Sequence, residues 1–154
     1  MLTPGINFTN FKIKKQSSLV KKKLISILKS KNEVVNSLSQ NYKNSFTKKL
    51  LHKYKKTSNY RVIGMGGSTL GTQTIYDFLK HKITKKFVFT DNLQANPTKN
   101  KKKYTNLIVS KSGNTIETIV NANIYIKNKN KNIFITGNKS SYLYSLAEKL
   151  KSDI

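Results

Sequence analysis

Residues 60–71 read Tyr-Arg-Val-Ile-Gly-Met-Gly-Gly-Ser-Thr-Leu-Gly, a short apolar run followed at once by a glycine-rich turn. The run Tyr60–Gly64 is typical of a strand, and the spacing of apolar residues from Ser68 to His81 predicts a helix directly after the turn. We expect Ser68 to cap this helix. The helix should turn four side chains toward the core, namely Leu70, Ile75, Phe78 and Leu79.

The same alternation of strands and helices continues to the end of the chain. Further strands are predicted at Lys86–Thr90, Thr105–Ser110 and Asn132–Thr136. Continuous apolar strands that alternate with helices indicate a parallel sheet covered on both faces. The sequence therefore predicts an α/β fold with a doubly wound parallel sheet of strand order 2-1-3-4. The polar link Asp91–Tyr104 must cross over the sheet as a short helix or an irregular segment.

Two helices complete this pattern. One is predicted from about Asn114 to Ile126. The last should begin at Ser140 or Ser141, either of which is a good N-cap residue. Its spacing predicts that it buries Leu143, Leu146, Ala147 and Leu150.

The stretch before Tyr60 has a helical pattern and carries no chemical motif. Apolar residues recur at helical spacing, and neither Gly nor Pro occurs between Gly5 and Gly64, so we expect uninterrupted helices. We divide the chain into a helical lead-in at residues 1–59 and an α/β domain at residues 60–154. The positions that give the helical pattern are Val20, Leu24, Ile27, Leu28, Val35, Leu38, Tyr42, Leu50 and Tyr54.

The composition of the 154 residues is dominated by lysine. The formal net charge is +24, from 30 Lys and Arg against 6 Asp and Glu, yet Arg61 is the single arginine. Arginine reads phosphates and guanines through its planar fork, so a protein selected for nucleic acid would rarely avoid it. Lysine, Asn and Ile are abundant together, as AT-rich coding would impose. We therefore expect no specific nucleic-acid partner.

Several other classes are also excluded. The absence of cysteine rules out disulfides, thiolate metal sites and a thiolate nucleophile. Residues 1–15 contain no apolar core of a signal peptide, and no apolar run approaches the roughly 20 residues that span a bilayer. The sequence thus predicts a cytoplasmic protein with no membrane partner.

Two loops carry the candidate chemistry. In the first, at residues 64–71, three glycines in four positions let the backbone turn sharply and let a ligand approach closely. In the second, at residues 110–115, the hydroxyls of Ser110, Ser112 and Thr115 surround Gly113. Each loop leads into a helix whose N-terminal N–H groups favour an anion.

The predicted strand order brings the two loops together. The chain reverses direction between the first and third strands, and ligands of such sheets bind at that switch point, beyond the carboxyl ends of the strands. A small phosphorylated molecule is the expected ligand. A dinucleotide, with Asp91 as the ribose-binding acid, is the alternative for the first loop. The first loop, however, has Thr69 where the dinucleotide motif has its third glycine. A dinucleotide would also leave the hydroxyls of the second loop unexplained.

Residues 62–71 resemble the first signature of glucose-6-phosphate isomerases, and residues 109–118 resemble the second, in its bacterial form. The resemblance covers roughly residues 60–154 and corresponds to the first of the two sugar-isomerase (SIS) domains in that family. It implies that one strand of the usual five is missing, so residues 60–154 would be an incomplete SIS domain. It also implies a homodimer for the full-length protein.

The resemblance assigns roles to individual residues. Ser110, Ser112 and Thr115 would bind the sugar phosphate, and Lys111 would add positive charge. Glu117 would help to organise the sugar end without acting as the catalytic base. The alternative for Glu117, which we favour less, is an acid that only stabilises the helix N-terminus. The sugar side would be lined by Gly66, Gly67 and Ser68.

The reaction that the resemblance implies is the reversible isomerisation of glucose 6-phosphate and fructose 6-phosphate, in glycolysis and gluconeogenesis. The resemblance also implies that no metal and no organic cofactor is required. Proton transfer through an enediol needs a general base near neutral pH. The family's base, its ring-opening histidine and further charged residues lie downstream of the second signature. Only 36 residues follow Thr118, and they contain neither His nor Arg. We therefore expect an N-terminal part of the enzyme that binds phosphosugar without turnover.

Three other functions stay open. Another SIS-type isomerase, such as a phosphoglucose/phosphomannose isomerase, shares parts of both loops. A non-catalytic phosphosugar-binding module is also possible, although the stretch before Tyr60 lacks the Gly-containing turn of a helix-turn-helix. A basic nucleic-acid-binding protein would show aromatic-rich basic strands, which are absent. The sequence does not separate glucose 6-phosphate from mannose 6-phosphate.

Overall fold

The computed structural model describes residues 17–30, 32–93, 102–127 and 130–154. The chain divides into two compact units, residues 1–48 and 49–154. Two parts of the chain for which we made predictions lie outside the described residues. They are residues 1–15, in which the sequence shows no signal peptide, and residues 94–101 of the predicted crossover link. Among the described residues, no helix is long and apolar enough to cross a membrane.

The first unit contains α1 (Ser18–Lys29) and α2 (Glu33–Asn36), neither of which has a buried residue. The predicted helix through Val35, Leu38 and Tyr42 is wrong beyond Asn36, where α2 ends. Ser37 shows the physical reason, because its hydroxyl donates to the Val34 carbonyl oxygen at 2.6 Å. Such local side-chain bonds compete with the helical backbone, and the following residues are rich in Ser, Asn and Gln.

The second unit holds almost all of α3 and every strand. The helix α3, which starts at Lys48, thus falls with the α/β domain, although the sequence places it in the lead-in; the domain boundary at Tyr60 stays a prediction. The elements in chain order are α3 (Lys48–Tyr54), β1 (Asn59–Ile63), α4 (Gly67–Leu79), β2 (Lys86–Thr90), β3 (Thr105–Val109), α5 (Ile116–Tyr125), β4 (Asn132–Ile135) and α6 (Tyr142–Lys149).

The four strands form one parallel sheet in the order β2-β1-β3-β4, so the predicted α/β fold and strand order are confirmed. The central strand β1 pairs Val62 with Phe89 of β2 and with Leu107 of β3. Beyond β4, a single parallel bridge joins Ile133 to Asp153, and the Phe134 N–H donates to the Asp153 carbonyl oxygen at 2.8 Å. Residues after α6 thus begin to extend the sheet at the place of a fifth strand, without forming one.

The main core lies between the sheet and two helices, α5 and α6. Ile63, Ile108 and Phe134, one from each of three strands, are at most 1 % exposed and form one cluster with Leu143 and Ala147 of α6. Ser141 caps α6 by accepting the Tyr144 N–H, as predicted. The buried side of α6 is also as predicted, since Leu146 and Leu150 pack against the same cluster.

The helix α4 packs with a different face from the predicted one. The sequence predicts Leu70, Ile75 and Phe78 inside, but they are 57 %, 62 % and 76 % exposed. The contacts to the sheet are made instead by Thr69, which is fully buried, and by Tyr76, whose ring lies 5.0 Å from that of Phe87. An aromatic pair of α4 and β2 therefore replaces the aliphatic stripe.

One polar contact fastens α3 to the residues after α6. Asp153 accepts hydrogen bonds from the Tyr54 hydroxyl and from Lys53 Nζ, the latter at 2.7 Å. Burial raises the pKa of the Asp153 carboxyl, but the hydrogen bonds from Lys53 and Tyr54 and the charge of Lys53 outweigh it, so that pKa lies below its usual value. Burial, and then the bond to Asp153, raise the pKa of Tyr54. The pair stays a neutral phenol and a carboxylate at neutral pH.

Candidate functional site

The two predicted loops lie side by side at the carboxyl edge of the sheet. The first follows β1 and the second follows β3, and these strands are paired neighbours. The approach is so close that a Cβ on Gly64 would lie 2.8 Å from the Val109 carbonyl oxygen. The sequence therefore placed both loops correctly, because the strand order that it predicted is the observed one.

The first loop turns at Gly66, which has a φ of +52° and is the N-cap residue of α4. L-residues with side chains rarely adopt this φ, so glycine is required here. The expectation that Ser68 caps the helix is wrong, because α4 begins one residue earlier, at Gly67. The N-terminus of α4 has no side-chain cap. Two of its first N–H groups are satisfied by the loop backbone instead, since Ser68 donates to the Met65 carbonyl oxygen at 3.1 Å and Thr69 donates to that of Gly66 at 3.0 Å. Gly66 and Gly67 are exposed and Ser68 is half-buried.

The second loop brings its three hydroxyls together. Ser110 Oγ lies 3.1 Å from Thr115 Oγ1 and 3.5 Å from Ser112 Oγ, and the latter two oxygens are 3.3 Å apart. Ser110 is buried and accepts the Gly113 N–H at 3.1 Å. Ser112 is exposed and Thr115 is half-buried. We conclude that Ser110 shapes the loop, whereas Ser112 and Thr115 can reach a ligand.

The start of α5 adds donors at the same place. Thr115 is its N-cap residue, and its side chain makes no capping bond. The hydroxyls therefore leave the first N–H groups of α5 without a side-chain acceptor, and such a helix N-terminus favours an anion. Lys111 is exposed and Glu117 is half-buried in the first turn of α5. The loop combines hydroxyl, N–H and ammonium donors, the set that a phosphate accepts.

Sequence reasoning missed the contacts that brace the second loop. Asn114 Oδ1 accepts the Tyr142 N–H at 2.8 Å, and Asn121 Nδ2 donates to the Asn92 carbonyl oxygen at 3.1 Å. Among the described residues, the Thr118 hydroxyl and Asn121 Oδ1 are buried without a hydrogen-bond partner. No sequence signal reveals these roles, because each depends on the distance between separate elements. Asn114 lies within residues 109–118, which resemble the second signature, yet that resemblance assigns no function to it.

Other polar groups lie outside the two loops, although Asp91 is close to the first loop, because the Gly64 N–H donates to the carbonyl oxygen of the preceding Thr90 at 3.2 Å. Asp91, the ribose-binding acid of the dinucleotide alternative, follows β2 and accepts a bond from Asn92 at 3.4 Å. Within the described part of the chain, no group of three or more His, Asp or Glu side chains could hold a metal ion. Two clefts of about 180 and 250 Å³ lie where strands begin, at the opposite edge of the sheet. Both include Lys131 in their lining.

The fold and the position of the two loops place the molecule among doubly wound α/β domains with two glycine-containing loops at the carboxyl edge of the sheet. The solved structure of the tagatose-6-phosphate ketose/aldose isomerase from Escherichia coli shares this fold. It has a TM-score of 0.54 and 21 % identity, with 69 % of this chain and 31 % of that chain covered. No family model matches the chain.

The particular relatives are glucose-6-phosphate isomerases, and the chain is similar in sequence to two of them. It is 38 % identical to that of Methanocaldococcus jannaschii over 120 residues, covering 68 % of this chain and 29 % of the relative. It is 37 % identical to that of Acholeplasma laidlawii, covering 64 % and 28 %. The resemblance found in the two loops is thereby confirmed. The chain spans less than a third of the length of these relatives.

Proposed function

We propose that this chain supplies the phosphosugar-binding loops of a glucose-6-phosphate isomerase, an enzyme that interconverts glucose 6-phosphate and fructose 6-phosphate. The observation that carries the proposal is the hydroxyl cluster at the uncapped start of α5, beside the glycine turn of β1. The sequence similarity to two glucose-6-phosphate isomerases supports the choice of substrate.

In this proposal the phosphate is held by the second loop. Ser112 and Thr115 donate their hydroxyl protons, the first N–H groups of α5 donate along the helix axis, and Lys111 balances part of the phosphate charge. Hydrogen bonds to a charged acceptor contribute about 1.5–3 kcal/mol each, so this cluster is enough for measurable affinity. Gly66 and Gly67 leave room for the sugar because they carry no side chain.

Isomerisation itself requires a proton to move between two carbons through an enediol. Glu117 lies in the first turn of α5, beside the phosphate loop, where it orients the sugar hydroxyls in this proposal. The residues that abstract the proton and open the ring would come from elsewhere in the whole enzyme. We therefore propose that these 154 residues bind phosphosugar without turning it over. The cytoplasmic location and the homodimer of the whole enzyme stay predictions.

Isothermal titration calorimetry of the 154-residue chain tests this function. We expect fructose 6-phosphate to bind, and fructose without the phosphate to bind at least tenfold more weakly. The double variant S112A/T115A should lose at least tenfold in affinity for fructose 6-phosphate, equivalent to about 1.4 kcal/mol. The control is Thr74→Ala, which removes an exposed hydroxyl of α4 that bonds only within its own helix.

Two outcomes would contradict the proposal. Equal affinities for fructose and fructose 6-phosphate would show that the loops do not recognise phosphate. Conversion of fructose 6-phosphate at an enzyme-like rate, followed in a coupled assay, would show that the chain contains its own catalytic base. Mannose 6-phosphate, titrated alongside, separates the glucose-specific enzyme from a phosphoglucose/phosphomannose isomerase.

A further inference from the structure

The second loop, residues 110–115, which we call the phosphate loop, is hydrogen-bonded to the segment that follows β4. Three backbone N–H groups of residues 137–143 donate into it. Gly137 donates to the Lys111 carbonyl oxygen at 3.1 Å, and Leu143 donates to that of Gly113 at 3.1 Å. Tyr142 donates to the side chain of Asn114 at 2.8 Å. The last two donors belong to the first turn of α6.

Asn114 differs from the other two acceptors because it is a side chain and because it bonds on both sides. Its Oδ1 accepts from α6, while its own backbone N–H donates to Ser112 Oγ at 3.3 Å. Ser112 is exposed, and the other contacts of its hydroxyl are with two hydroxyls of the same loop, those of Ser110 at 3.5 Å and Thr115 at 3.3 Å. Asn114 thus connects a hydroxyl of the proposed phosphate site to the start of α6, a helix that is anchored in the core by Leu143 and Ala147.

These contacts also determine which of the two helices, α5 or α6, has N-terminal N–H groups available to a ligand. The first two N–H groups of α6 are used by Asn114 and Gly113, and Ser141 accepts the N–H of Tyr144. The N-terminus of α5, in contrast, has no side-chain cap. Because an anion needs unsatisfied donors, the brace directs it to α5 and away from α6.

We propose that Asn114 is a positioning residue that fixes the Ser112 hydroxyl for phosphate binding by tying the loop to the start of α6. This inference rests on the proposed function of the loop. In this proposal Asn114 does not touch the ligand. Removal of its side chain should therefore lower the affinity for the phosphosugar because Ser112 moves, and not because a contact with the ligand is lost.

The variant Asn114→Ala tests the inference, and Asn123→Ala is its matched control. Asn123 lies on α5 and its Nδ2 donates to the Tyr142 hydroxyl at 3.2 Å, so both variants remove an exposed asparagine that bonds to Tyr142. We expect Asn114→Ala to weaken fructose 6-phosphate binding at least fivefold in calorimetry. Asn123→Ala should bind within twofold of the parent chain. Both variants should have similar urea midpoints.

A readout without ligand separates this inference from the proposed function. In ¹⁵N–¹H spectra of the free protein, Asn114→Ala should shift the amide signals of Ser112 and Gly113, and Asn123→Ala should not. Asn114→Asp keeps an oxygen acceptor for Tyr142, so it should restore these two signals. It should nevertheless bind fructose 6-phosphate poorly, because a carboxylate near the phosphate repels it.

The two proposals fail in different ways. If the parent chain does not bind fructose 6-phosphate, the proposed function fails, and the amide signals still decide whether Asn114 positions Ser112. If the parent chain binds and Asn114→Ala binds equally well, the positioning role is overturned. The positioning role is also overturned if Asn114→Ala leaves the amide signals of Ser112 and Gly113 unchanged.

Discussion

Gly113 shows how a single residue shapes the phosphate loop. It has a φ of +68°, a region that disfavours L-residues with side chains. A Cβ at this position would lie 2.0 Å from Ser141 Oγ and 2.7 Å from Thr136 Oγ1. The glycine therefore meets two demands at once, a left-handed turn and a close approach to the segment after β4.

We predict that Gly113→Ala lowers the free energy of unfolding by about 2–4 kcal/mol, the sum of about 1–2 kcal/mol for the left-handed backbone and about 1–3 kcal/mol for overpacking, less some relaxation. Urea unfolding followed by circular dichroism measures the change. The control is Gly71→Ala in α4, where a Cβ meets nothing within 4 Å. This substitution should raise the free energy of unfolding by up to about 1 kcal/mol, because Ala favours a helix more than Gly does. Equal stabilities of the two variants would refute this account of Gly113.

Arg61 is the residue whose structural role composition could not reveal. As the single arginine of the chain it is notable in the sequence only as an argument against nucleic-acid binding. In the fold its guanidinium carbon lies 4.5 Å from the ring centroid of Tyr104 and 4.0 Å from that of Tyr125. Burial lowers the pKa of Arg61, and its interactions with the two tyrosines act in the opposite direction. The rings cover a cation that is half-buried next to the sheet.

Among the helices and strands, α4 is predicted correctly as a helix, but the sequence does not predict which of its faces packs against the sheet. The period of 3.6 residues marks a helix, but α4 has apolar residues on more than one side, and the prediction turns the aliphatic residues inward. The rings of Tyr76 and Phe87 decide otherwise by packing against each other. A choice between two faces depends on the shape of the partner strand, which periodicity does not contain.

This orientation makes a testable difference to stability. Phe78 is 76 % exposed, so Phe78→Ala should lower the free energy of unfolding by less than about 1 kcal/mol, as surface substitutions usually do. Phe134 in β4 is 1 % exposed, and Phe134→Ala should cost about 3–5 kcal/mol. Urea denaturation of the two variants compares them directly. A loss of about 3 kcal/mol or more for Phe78→Ala would mean that the sequence-based orientation of α4 is right.

For the whole molecule, the large excess of positive charge is expected to lower stability. With 30 cationic against 6 acidic side chains, like charges repel one another in the compact state. Raising NaCl from about 0.05 to 0.5 M shortens the Debye length from about 14 to 4 Å, so we predict a rise of several degrees in Tm. Calorimetric scans measure the change in Tm, and KCl at the same ionic strength should give the same rise, because screening depends on ionic strength and not on the identity of the cation. A fall in Tm with salt would show that attractive pairs such as Lys53–Asp153 dominate.

The amino-acid sequence alone was sufficient to predict the class of fold, the strand order and the positions of the two candidate loops. These follow from local signals: apolar runs of strand length, glycines where the chain must turn, and hydroxyls next to a helix start. The similarity to glucose-6-phosphate isomerases was also readable from those loops alone. Local signals are sufficient here because a parallel sheet places every strand's carboxyl end at the same edge.

Three features required the folded structure to be seen: the face of α4 that packs against the sheet, the residue at which α2 ends, and the contacts that hold the second loop. The structure also showed that Asn114 bonds to Tyr142, 28 positions further along the chain, and that Tyr54 bonds to Asp153. These features depend on distances between elements that are remote in sequence. Hydrogen bonds and side-chain packing act over a few ångströms, so they are fixed only when the sheet has brought those elements together.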